Sequence, residues 1–157
     1  MTLVKSYIDA GTCDSVTTGD SCGDDAVSYY KQFHYNGYRV VIANGIPDHD
    51  AEHDQFTENP NTRCERWTYL TLPLFPGKAD NATSTSMGVT GLANTGGTFF
   101  NHLSDTDGSV AMYNEGTSLD SCTGHSNKVS QYHYHANIVC DDDAVDPDTC
   151  KQIGWMR

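Results

Sequence analysis

The sequence predicts a mainly β fold: antiparallel strands and hairpins, long disulfide-braced loops and little helix. Three observations lead there. No eleven-residue window shows a helical period free of Gly, Pro and β-branched clusters. Short aromatic and β-branched runs instead alternate with Gly-, Asn- and Asp-rich turns. Six cysteines in 157 residues supply staples for loops longer than a compact domain otherwise holds. The length suits one domain with a real core.

Taken in order, residues 1–25 form a Cys-, Gly- and Asp-rich arm, and residues 26–157 carry the β pattern. Residues 27–35 and 38–43 are aromatic and β-branched around Asn36-Gly37. Both positions of a tight hairpin turn need positive φ, which Asn-Gly supplies, so these runs predict a hairpin. Asn44-Gly45-Ile46-Pro47-Asp48-His49-Asp50 follows as a turn, with His53 and Asp54 behind it in an exposed acidic loop. Residues 66–72 alternate as a strand ended by Pro73 and Pro76, and residues 77–86 are a polar loop. Short strands are expected at 87–93, 98–103 and 110–114. Ser104-Asp105-Thr106-Asp107-Gly108-Ser109 lacks EF-hand spacing and reads as an Asp-Gly turn. The final run, Ile153-Gly154-Trp155-Met156-Arg157, is apolar and reads as unfinished.

Charge narrows the partners. Nine Lys+Arg against 21 Asp+Glu give a formal net charge of -12, and 17 of the acids are Asp. Nucleic acid and anionic membranes both demand a basic face, so neither is a partner. No apolar run is long enough to span a bilayer. The even cysteine count, the scarcity of Lys and the sequon at Asn81 (Asn81-Ala82-Thr83) fit an oxidising, secreted or cell-surface setting. Six cysteines allow fifteen connectivities. Cys13–Cys22 closes easily through its short Gly- and Asp-rich segment. Cys122–Cys140 would brace the later histidine strand, and Cys64–Cys150 then remains.

The sharpest chemical signal is Gln131-Tyr132-His133-Tyr134-His135. On a strand, successive side chains face opposite ways, so both histidines share one face and both tyrosines the other. Their Cα atoms are then about 6.6 Å apart, close enough for two imidazoles to converge on one ion. Asp120-Ser121-Cys122-Thr123-Gly124-His125 supplies a third histidine. The candidate ligands are His125, His133, His135 and His49, with Asp120, Asp48, Tyr132 and Tyr134 as further ligands or orienting partners. Zinc suits three histidines with a fourth position open for water, where hydration or hydrolysis becomes accessible. Copper suits the same imidazoles. A second cation, calcium, would relieve the five aspartates within residues 141–148. Asp120, His125 and Ser126 form no Ser–His–Asp triad on this reading, because sequence neighbours rarely meet in that geometry. No catalytic residue is assigned.

Several motifs recur together: Asn44-Gly45-Ile46-Pro47-Asp48-His49, Gly88-Val89-Thr90-Gly91-Leu92-Ala93-Asn94, Phe99-Phe100-Asn101, Asp120-Ser121-Cys122-Thr123-Gly124-His125 and Tyr132-His133-Tyr134-His135. In this order they resemble the YHYH domain family, over roughly residues 38–157. The resemblance implies a secreted or surface protein and carries no settled activity. Here Asn94-Thr95-Gly96 stands where similar proteins have Asn-Gly. Similar proteins also continue past Ile153-Gly154-Trp155 into a second Tyr-His-Tyr-His-like strand. The resemblance therefore implies a domain completed by further chain, by a second chain or by copies of itself. Two functions follow: a metal-binding domain built on the histidine strand, or a structural, self-assembling or partner-binding module without catalysis. Nine tyrosines and two tryptophans offer contact surface for the latter.

Overall fold

The structure, a computed structural model, describes residues 22–49, 58–105, 107–136 and 154–156. It is mainly β, as expected, with its strands in two sheets. The first sheet is β1 (Tyr30–Tyr35), β2 (Tyr38–Ala43) and β3 (Thr68–Pro73), antiparallel in that order. Asn36 and Gly37 turn the β1–β2 hairpin at φ 47° and 79°. The predicted run from residue 27 enters the ladder only at Tyr30. Before that, the Asn44 side chain acts for the partner strand: it donates to Val27 O at 2.8 Å and accepts from Tyr29 N at 2.9 Å.

The inner face of this sheet buries Val41, Ala43 and Leu70 against Leu92 of the second sheet. That second sheet runs β6 (Gly124–Ser126), β7 (Tyr132–Tyr134), β5 (Thr98–Phe99), β4 (Gly91–Ala93) and β8 (Gly154–Met156). Its neighbours are antiparallel except β5 and β7, which run parallel. The expected strands at 87–93 and 98–103 shrink to the short β4 and β5. The strand expected at 110–114 is a correction: Val110 makes one bridge to Leu103, and Ala111–Asn114 then coil into α1, a single helical turn. Ala and Met are good helix formers, and a short apolar run has no period to reveal it. A 3-10 turn, Gly116–Ser118, follows.

Cysteine pairing is a second correction. Cys22 bonds Cys64, not Cys13, so neither Cys13–Cys22 nor Cys64–Cys150 forms. The two backbones meet as an antiparallel bridge, and Gly23 N donates to Arg63 O at 2.8 Å, which aligns the side chains. Closing a sequence separation of 42 stabilises the fold by about 4 kcal/mol in the chain-entropy view. Cys122 is disulfide-bonded too, to a partner outside the described residues. Cys13, Cys140, Cys150 and the acidic stretch 141–148 lie outside them as well. Asn81 stands in an exposed loop. Among the described residues no helix is long and apolar enough to cross a membrane.

Candidate metal centre

The site begins with a hairpin whose loop is held by one asparagine. Asn127 Oδ1 accepts from Val129 N and Gln131 N, at 3.0 and 3.1 Å, between β6 and β7. This loop sets the register that places His125 directly opposite His133. Directly paired residues share a face, and so does the residue two further on, so His135 joins them. The outcome is compact. His133 Nε2 lies 3.1 Å from His125 Nε2 and 3.0 Å from His135 Nε2. These three residues form a group whose ligand atoms all lie within 4.8 Å of one another.

The other nitrogen of each ring decides what those Nε2 atoms are. His133 Nδ1 lies 3.1 Å from Gln131 O, and His135 Nδ1 lies 2.9 Å from Asn101 O. A carbonyl only accepts, so both Nδ1 atoms carry the proton. His125 Nδ1 lies 2.9 Å from Ser118 Oγ, whose own proton goes to Glu115 O at 2.8 Å. His125 Nδ1 therefore donates as well. In the neutral rings all three Nε2 atoms present lone pairs to one another, with no proton between them. Lone pairs at such distances repel, and a shared proton or a bound cation would relieve that repulsion; the three residues are a group that could hold a metal ion.

Burial disfavours the charged form of His133 and His125. Desolvation pushes His133 down to about 3 from its ordinary 6.5, with His125 adding to the shift. Desolvation also lowers His125, against the opposing pull of Glu115. Phe100 stacks on His133 at 3.9 Å between ring centroids, giving the centre an apolar wall. Such neutral, oriented imidazoles are ready ligands.

Against known proteins, the chain matches no family model, no curated protein and no solved structure. The geometry alone therefore carries the reading of this site.

His49 does not join the other three histidines. It sits across the strand, on the tyrosine face: its Nε2 lies 3.2 Å from Asp120 Oδ2 and 3.0 Å from Tyr132 Oη. Tyr132 donates to the same Asp120 oxygen at 2.5 Å. Asp120 Oδ1 accepts from Cys122 N and Gly124 N, each at 2.9 Å. Both carboxylate oxygens are thus committed to hydrogen bonds that shape the turn before β6. His49, Asp120 and Cys122 lie close enough to resemble a ligand set, but the Cys122 sulfur is spent in its disulfide. We read this group as a hydrogen-bonded knot. Gly124 is required within it, because a Cβ there would collide with the Tyr132 phenol. Tyr134 packs on Phe99 and meets Thr95 Oγ1 at 3.0 Å, while burial raises both phenol pKa values. Thr95, in the Asn94-Thr95-Gly96 turn, thereby has a partner on β7. Asp48 stands exposed, 4.0 Å from His49 Nδ1.

Sequence reasoning missed Glu115. Its Oε2 lies 3.1 Å from His125 Nε2 and 3.6 Å from His135 Nε2. A single Glu in a Gly- and Ser-rich loop carries no local signal. Only the fold, by laying the turn at 115–118 over β6, brings it to the rings.

The neutral burial of His133 has a measurable consequence. Above about pH 6.5 neither folded nor unfolded His133 is charged, so it contributes no pH dependence. Below 6.5 the unfolded chain takes up a proton that the folded site refuses until about 3. Metal-free protein is therefore expected to lose stability as pH falls across that window. Urea midpoints in chelator at pH 7.5 and 5 measure this, with His133→Phe giving a shallower slope. Equal slopes would show that His133 is not buried neutral.

Proposed function

We propose that this chain is a metal-binding domain, holding one transition-metal ion through Nε2 of His125, His133 and His135. The observation that supports it is the tautomer pattern: three Nδ1 protons committed outward, with the Nε2 lone pair of His133 3.1 and 3.0 Å from those of His125 and His135 and all three within 4.8 Å of one another. Ligands bonded at about 2.0–2.1 Å to one ion lie about 2.9 Å apart at right angles and about 3.3 Å apart at the tetrahedral angle. The site is therefore already near ligand spacing. Imidazole favours zinc and copper among the common ions. The Cys22–Cys64 disulfide supports an oxidising, extracellular setting, and the ordered motifs support membership of the YHYH family. No reaction is assigned to the ion.

Titration of chelator-stripped protein with zinc and with copper(II), followed by calorimetry and elemental analysis, tests this. One equivalent per chain is expected, lost in His135→Ala. Binding that survives His135→Ala unchanged, or no binding by the wild type, would overturn the proposal.

A further inference from the structure

We propose that Glu115 is the fourth ligand of this centre, making it a three-histidine, one-carboxylate site for a borderline divalent cation of the zinc(II) type. The inference rests on the three-histidine reading and deepens it.

Distance separates a ligand from a base acting through water. A base that hydrogen-bonds a metal-bound water stands one water further out than the ligands. Glu115 Oε2 is instead 3.1 and 3.6 Å from two of the ligating nitrogens, against the 3.1 and 3.0 Å that separate His133 Nε2 from the other two. Around one ion this is the separation of donors sharing it. The carboxylate therefore occupies a coordination position.

Electrostatics favours the same assignment. His133 and His135 are buried, and three neutral imidazoles leave the full charge of a divalent ion in a poorly solvated place. A carboxylate cancels half of it. An oxygen anion also shifts the donor set away from copper(I), which prefers soft sulfur ligands, towards borderline divalent ions.

The backbone holds Glu115 in place beforehand. Glu115 N donates to Ala111 O at 2.7 Å, closing α1, and Glu115 O accepts from Ser118 N and Ser118 Oγ, each at 2.8 Å. Ser118 Oγ is the atom that fixes the His125 tautomer. One short turn thus supplies one ligand and orients another. Four protein donors fill a tetrahedral ion, which is the pattern of closed structural sites. Bound metal then fastens the turn at 115–118 to the β6–β7 hairpin, and a small anion enters only where Glu115 is lost.

Cobalt(II), a spectroscopic stand-in for zinc, tests this in the full chain with wild type, Glu115→Gln, Glu115→Ala and His135→Ala. Wild type is expected to show the intense visible bands of four-coordinate cobalt, unchanged by added azide. Both Glu115 variants are expected to bind zinc at least about tenfold more weakly. Their cobalt bands should change on adding azide. Metal-free melting curves show whether each variant folds like wild type, and Glu115→Gln keeps the shape of the side chain. Unchanged affinity and spectra in both variants, or azide entering the wild-type centre, would overturn the role of Glu115 and leave the histidine site standing. No cobalt or zinc bound by the wild type, or binding indifferent to His135→Ala, would remove the three-histidine reading itself.

Discussion

Replacing His133 by Phe is expected to abolish metal binding while leaving the metal-free fold nearly as stable as before. The ring is the middle of the three, 3.0–3.1 Å from both others, so its loss removes the donor that both other nitrogens adjoin. Outer partners of a metal site cost 10–100-fold in affinity when removed, and a central ligand is expected to cost more than about 100-fold. The fold suffers little for two reasons. Phe keeps the stacking against Phe100. The carbonyl released by the lost Nδ1–H, Gln131 O, still accepts from Asn127 N at 3.1 Å. The substitution also removes the facing lone pairs. Metal-free stability is therefore expected within about 1 kcal/mol of wild type. Zinc titration and urea unfolding of the same preparation read both outcomes. A variant that binds zinc normally contradicts the ligand assignment, and one that unfolds outright contradicts the packing.

Asp120→Ala is expected to do the opposite, damaging the fold first and the site through it. Its carboxylate serves two backbone N–H groups, the Tyr132 hydroxyl and His49. Alanine leaves the Cys122 and Gly124 N–H groups without this acceptor, at about 1–3 kcal/mol each, whereas Tyr132 and His49 keep each other at 3.0 Å. A total loss of about 2–6 kcal/mol follows. That is much of the stability of a typical domain. Asp120→Asn keeps an acceptor for the two backbone groups and should cost less. Urea unfolding of the two variants is the check. An alanine variant as stable as wild type would mean the turn before β6 is held by something else.

These two residues also show what the amino-acid order reveals and what it hides. The Asn36-Gly37 hairpin was legible because positive φ at two consecutive positions restricts residue choice. The His-x-His pair was legible because strand alternation converts spacing into a shared face. His125 opposite His133 depends on register, which Asn127 sets through a loop no simple pattern describes. The tautomers depend on the carbonyls of Gln131 and Asn101, and a backbone carbonyl leaves no mark in residue type. His49 and Asp120 were legible as a chemically loaded pair but not as residues of the opposite face. Placing them needs the path of the chain between two sheets. The Cys22–Cys64 bridge and the parallel β5–β7 pair are likewise contacts between distant segments, where local composition is silent.

X-ray absorption at the zinc edge of the one-to-one zinc complex probes the shared-ion geometry most directly. Three imidazole nitrogens and one oxygen at about 2.0 Å are expected, the imidazoles recognisable by scattering from their outer ring atoms. A shell made only of oxygen, or one with a single imidazole, would contradict the convergence of His125, His133 and His135 on one cation.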